Sequence, residues 1–213
     1  MNAFEVKNIS FLYKDKKVIN NFSLTQKIGD VVLWSGPSGG GKTSLAKIIC
    51  SHLKINSGEI KFFDKESLSP ALSKLYVCHE NDLFEWQTFS QHIKFLLNNV
   101  KIASPLTAVE IQKYSELLEI SHLMNMYPSQ ISMGETRRFQ ILRSLILKSD
   151  FIVFDETFAA LDSELKKRLM PKLLEIWKKH KTTVVIISHE ADKNFNVTFD
   201  QALDFSSLLL NDK

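Results

Sequence analysis

The run Gly36-Pro37-Ser38-Gly39-Gly40-Gly41-Lys42-Thr43 constrains this chain more than any other stretch. It fits G-x-x-x-x-G-K-[ST], a pattern in which each residue type has a physical task. Glycines let successive backbone N–H groups turn inward and approach an anion closely. Lys42 supplies a point charge for β- and γ-phosphates, and Thr43 offers a hydroxyl to Mg²⁺. A helix opening at the loop aims its positive dipole end at the same anion. The flanks meet the pattern's demand. Val31-Val32-Leu33-Trp34 reads as a buried strand entering the loop, and Ser44 to Ser51 as a helix with Leu45, Ile48 and Ile49 at helical spacing.

The rest of the chain alternates in the same way. Ala3 to Phe11 alternates apolar and polar residues and predicts a half-buried strand. Val18 to Leu24 predicts a second, after a turn at Lys16-Lys17, and Ile60 to Phe63 a third, after Ser57-Gly58. Leu75 to Cys78, Phe151 to Phe154 and Thr183 to Ile187 are apolar runs of buried-strand type. From Thr88 to Tyr127 the spacing turns helical, with Ile93, Leu96, Leu97, Val109, Ile111, Tyr114, Leu117 and Leu118 as the apolar positions. Ser163 to Lys181 predicts another helix with Ser163 as its N-cap. These patterns predict an α/β fold with a mostly parallel core sheet, an early antiparallel β region and an inserted α-helical subdomain.

At 213 residues and 44% hydrophobic content the chain suits one large domain. A net charge of +3 is too mild for a dedicated nucleic-acid binder, and no nucleic acid is expected as partner. Cys50 and Cys78 lack metal-type spacing; one disulfide is open to them, but a reduced cytosolic protein is the better reading. No signal peptide is expected at the N-terminus, where Glu5 comes early, and no apolar run reaches the roughly 18 residues of a spanning helix. Any membrane role must then pass through a partner.

The apolar run at 151–154 ends in Asp155-Glu156. A buried strand ending in Asp can set a carboxylate beside the glycine loop to support Mg²⁺. Glu156 follows at the strand's carboxyl end, where it can polarise an attacking water.

Together, Gly36 to Thr43, Asp155-Glu156, Leu161-Asp162 and Ile187-Ser188-His189 resemble the ATP-binding cassette (ABC) ATPases. Tyr127 to Glu135 resembles that family's signature loop, with Ser132 lying 23 residues before Asp155. The resemblance implies a P-loop NTPase of ABC type, with core segments 1–87 and 148–213 and a helical subdomain at 88–147. It implies ATP and Mg²⁺ as ligands and ATP hydrolysis as the activity. Tyr13 would stack on adenine, or else pack between strands. Gly36 to Ser44 would cradle the phosphates, with Thr43 and Asp155 at the Mg²⁺. Lys42, Glu156 as base and His189 as γ-phosphate switch would carry the chemistry. Ser132 and Gly134 would meet the ATP of a second ABC subunit, and Asp162 would join the two sites across that dimer.

The resemblance further implies a separate transmembrane permease, and so a cytoplasmic protein peripheral to the inner face of the cell membrane. Phe84 and Trp86 would be exposed apolar residues awaiting it, or else part of the subdomain core. A soluble iron–sulfur assembly ATPase and a weakly hydrolysing ATP switch are the alternatives. Three positions depart from the family pattern. His79 stands where a metal-sensing glutamine is expected and would join Thr43 and Asp155 at the Mg²⁺ in its place, Met133 stands where a glycine is expected, and Glu135 where a glutamine is.

Overall fold

The computed structural model describes residues 1–14, 16–62, 73–78, 83–100, 102, 105–189 and 195–206. Along it run β1 (Asn2–Tyr13), β2 (Lys16–Lys27), β3 (Val31–Ser35), α1 (Lys42–Ile49), β4 (Ser57–Phe62), β5 (Lys74–Val77), α2 (Phe89–Asn99), α3 (Ala108–Leu117), α4 (Met133–Leu147), β6 (Phe151–Asp155), α5 (Ser163–His180), β7 (Thr183–Ile187) and β8 (Gln201–Asp204). Strands β2-β1-β4 form an antiparallel sheet, and β5-β6-β7-β3-β8 form a second whose pairings are all parallel.

The apolar runs are continuous in β3, β6 and β7 because both faces of the parallel sheet are covered. Alternate residues go to different cores. Leu33, Ile152, Phe154, Val184 and Ile186 pack with the apolar sides of α4 and α5. Val32, Trp34, Phe151, Val153, Val185 and Ile187 pack with α1 and with Phe4, Val6 and Ile9 of the antiparallel sheet. Between β5 and β6 lie helices α2, α3 and α4, and this part of the chain joins the first core through Phe89, Ile93, Phe139 and Leu142. The rings of Phe89 and Phe139 stack with centroids 3.7 Å apart.

Local chemistry sets the helix starts. Thr88, Thr107 and Ser132 open α2, α3 and α4 with reciprocal capping boxes, each closed by the Gln or Glu three residues on. The expected cap at Ser163 is corrected. Asp162 is the N-cap of α5, its carboxylate accepting from the Leu165 N–H at 2.8 Å. Both residue types cap well, and the charged acceptor next to the helix dipole wins. The turn expected at Lys16-Lys17 is likewise corrected. Both residues belong to β2, paired with Tyr13 and Leu12, and the chain reverses from Lys14, at φ 46°. Strand β8, short and partly exposed, carries no apolar alternation by which to recognise it.

Gly58 lies inside β4 at φ 95°, and a Cβ there would stand 2.6 Å from the carbonyl oxygens of Lys7 and Asn8 and the Cα of Ile9. All three are backbone atoms of β1, which cannot yield without breaking the sheet. Gly58→Ala is expected to cost about 3 kcal/mol, combining left-handed strain with the clash. Thermal denaturation should show a midpoint lowered by roughly 6–12 °C. A midpoint within 2 °C or so of the parent would contradict this account.

Candidate functional site

Three neighbouring strands of the parallel sheet end together and so assemble the site. Trp34 of β3 and Asp155 of β6 both pair with Ile187 of β7. The glycine loop, Asp155-Glu156 and Ser188-His189 therefore leave the sheet side by side at its carboxyl edge, where open α/β sheets bind ligands. Two further backbone bonds fix the ends: Glu156 N–H donates to Ile187 O, and Ser188 N–H donates to Trp34 O.

The loop wraps a cleft of about 820 Å³ lined by Tyr13, Ser38 to Ser44, Glu156 and His189. Gly41 closes it as the N-cap of α1 at φ 84°, with no side chain capping the helix. The first-turn N–H groups of α1 are thus left for a ligand's oxygens, whereas α2 to α5 have theirs capped by side chains. Gly36 has no room for a side chain either, because a Cβ would stand 3.0 Å from the Ser206 backbone nitrogen.

The Lys42 ammonium donates to the Gly36 and Pro37 carbonyls at 2.7 and 2.8 Å, so it spans the loop's own mouth. Burial pushes its pKa down, opposed by the negative charges of Glu156, Asp155 and Asp204. His189 bridges three parts of the site. Its Nδ1 lies 3.0 Å from Gly36 O, and its Nε2 lies 2.6 Å from Glu156 Oε1 and 3.5 Å from Ser38 Oγ. A carbonyl on one ring nitrogen and a carboxylate on the other are both acceptors. His189 is thus held by an acceptor on each side, which fixes the orientation of its ring in the cleft. Glu156 is itself in the left-handed region at φ 55°, a conformation that turns the chain away immediately after β6.

Asp155 is 1% exposed. Its Oδ2 accepts from the Thr43 hydroxyl at 2.8 Å and the Tyr76 hydroxyl at 2.5 Å, while its Oδ1 is buried with no partner among the described residues. A buried carboxylate oxygen without a donor, next to the loop's threonine, suits a hydrated Mg²⁺. Among the described residues no cluster of three metal-ligating side chains exists.

The structure thus brings Tyr13, Lys42, Thr43, Asp155, Glu156 and His189 to one edge. Tyr13 is 57% exposed on the cleft wall, available for stacking rather than packed between strands. Ser132, Gly134 and Asp162 do not line the cleft. They sit near one another at the starts of α4 and α5, and a Cβ on Gly134 would come 3.2 Å from Ala160 O. Met133 beside them is 68% exposed. His79 lies outside the described residues. Phe84 is corrected from exposed to half-buried: it stacks between Trp86 and His92, and Trp86 alone of that pair stands out, at 73% exposure.

Three contributors were not anticipated. Phe22 and Phe205 line the cleft beside the loop with ring centroids 6.0 Å apart. Tyr76, read from sequence only as part of an apolar strand, caps Asp155. A polar atom in an otherwise apolar strand next to the Asp-bearing strand was its only signal.

The family model described as ABC transporter matches residues 19–159. The aliphatic sulfonates import ATP-binding protein SsuB of Bacillus subtilis is 29% identical over 194 residues, covering 90% of this chain and 75% of its own length. The ergothioneine transport ATP-binding protein EgtV of Helicobacter pylori is 29% identical over 192 residues, covering 88% of this chain and 90% of its own. Among solved structures, the dimeric bacterial ABC transporter cassette MJ0796 superposes with a TM-score of 0.78 at 22% identity, covering 95% of each chain. With a phosphate loop, a buried aspartate, and a glutamate and histidine at one sheet edge, and with the family model spanning most of that ground, this chain belongs to the ABC transporter family as an ATP-binding, ATP-hydrolysing cassette.

Proposed function

We propose that this chain is one half of a cassette pair that closes on two Mg²⁺-ATP and drives a separate membrane permease. The observation that carries the reading is a chain of contacts around Gly36: Lys42 and His189 both meet its carbonyl, and Glu156 meets His189. A base, a switch and a phosphate clamp meet there within hydrogen-bonding reach. On this reading ATP stacks on Tyr13, and its phosphates take the N–H groups of Gly39 to Ser44 and the Lys42 ammonium. Thr43 and Asp155 hold Mg²⁺, which when bound neutralises the charge developing on the phosphates. A γ-phosphate next to Gly36 and Ser38 competes for His189. Glu156 is then freed to polarise water.

Ser132 and Gly134 lie outside the chain's own cleft, which fits a role on a second cassette's ATP. The N-terminus of α4 suits an anion in trans. Segments 1–87 and 148–213 are then the catalytic core, and 88–147 the helical subdomain that carries closure to the permease. No helix among the described residues is long and apolar enough to cross a membrane. Attachment at the inner face of the cell membrane through the permease follows from the reading.

Light scattering tests the pairing: ATP with Mg²⁺ should double the mass of a Glu156→Gln protein, and an unchanged mass would remove the sandwich reading. Trp86 tests the permease surface. It stacks on Phe84 with ring centroids 5.2 Å apart, next to Phe95, which is 41% exposed. Exposed aromatics of this kind anchor interfaces, each worth about 2 kcal/mol or more. Trp86→Ala is expected to weaken co-purification with the permease about 30-fold. ATP binding should stay at the parent value. Equal co-purification of the two proteins would exclude this surface.

A further inference from the structure

We infer that Tyr76 is a positioning residue for Mg²⁺, holding Asp155 so that one carboxylate oxygen is kept for the hydrated ion. The inference rests on the reading of Thr43 and Asp155 as the Mg²⁺ site and adds a third residue to it.

The geometry is specific. Tyr76 of β5 is paired with Val153 of β6 in a parallel register, two residues short of Asp155. Its ring extends along the strand direction far enough for the hydroxyl to reach Asp155 Oδ2 at 2.5 Å. Thr43 donates to that same oxygen at 2.8 Å. Two hydroxyl donors on Oδ2 fix the carboxylate's rotation, and Oδ1 is left buried without a donor among the described residues. A buried carboxylate oxygen that lacks a donor costs on the order of 1–3 kcal/mol unless a ligand supplies one. A metal-bound water has the proton to do so.

The ring itself is held in place. His52 meets it edge-on with centroids 5.5 Å apart, and the Lys47 ammonium lies 5.9 Å from its centroid. Both residues come from α1 or its C-terminal end, the same helix that presents Thr43. Phosphate loop, tyrosine and aspartate are thus braced against one another.

Outer-shell hydrogen bonds that orient metal-holding groups typically carry 10–100-fold in metal affinity. Tyr76→Phe removes the donor and keeps the ring. The experiment titrates full-length protein with a fluorescent ATP analogue in EDTA, and then titrates Mg²⁺ into the nucleotide complex. In EDTA the variant should bind the analogue within about twofold of the parent. Its apparent Mg²⁺ affinity should fall by about tenfold. In an Asp155→Asn background the same change should cost little more, since Tyr76 acts through that carboxylate. A Mg²⁺ curve that superimposes on the parent's overturns the inference, and so does an equal loss with and without Mg²⁺, which marks a packing role. A parent protein that binds the analogue identically in EDTA and in Mg²⁺ overturns the metal-site reading itself, and the inference with it.

Discussion

Replacing Glu156 with glutamine is expected to lower ATP turnover by roughly 10²–10⁴-fold, with ATP affinity kept within about threefold of the parent. The size follows from what the side chain does. Its Oε1 lies 2.6 Å from His189 Nε2 at the mouth of the cleft, so it can accept a proton from a water held between it and the γ-phosphate. Glutamine keeps the shape and loses the basicity. Its effect therefore falls on the chemical step and spares binding, which the loop amides and Lys42 carry. The two quantities separate cleanly: phosphate release under saturating ATP reports turnover, and a fluorescent nucleotide titration reports affinity. Turnover within tenfold of the parent would assign the base elsewhere. A loss of binding as large as the loss of turnover would make Glu156 a structural support of the loop, for which its positive φ gives a physical route.

How legible was this site beforehand? Residues that depend on chain order were legible. Gly36 to Thr43 announces itself by spacing, and Asp155, Glu156 and His189 stand out as charged ends of apolar runs. The parallel register then converts those ends into one edge, because strands buried on both faces have one direction in which their polar ends can emerge. Contacts that depend on register between strands distant in sequence were not legible. Tyr76 reaches Asp155 across 79 positions, and Arg137 of α4 reaches the Cys78 carbonyl across 59. Periodicity has no access to either pairing. Asp162 failed for a different reason: two good capping residues stand in a row, and propensity alone does not rank them. Among the described residues strand β8 pairs only with β3, and its sequence is too short and too polar to carry a strand signal.

Lys42→Ala should show the converse pattern, with nucleotide affinity falling roughly 10–150-fold, the worth of a charge-assisted hydrogen bond or two. The ammonium sits at the mouth of the loop, donating to Gly36 O and Pro37 O. A bound triphosphate offers it charged oxygens in exchange for those carbonyls, and the desolvation cost of bringing the charge there is already met. That cost is visible in the direction of its pKa, which burial pushes down in the folded protein. A cation whose pKa is lowered by folding destabilises the fold at every pH below that lowered value. Removing it should therefore leave the thermal midpoint unchanged or slightly raised while nucleotide binding collapses. Arginine is not expected to rescue binding, since its planar fork cannot occupy a slot shaped by two adjacent carbonyls around a compact ammonium. An affinity within threefold of the parent would show that the amides of the loop and of α1 hold the phosphates unaided. A midpoint many degrees lower would instead make Lys42 a structural strut of the loop.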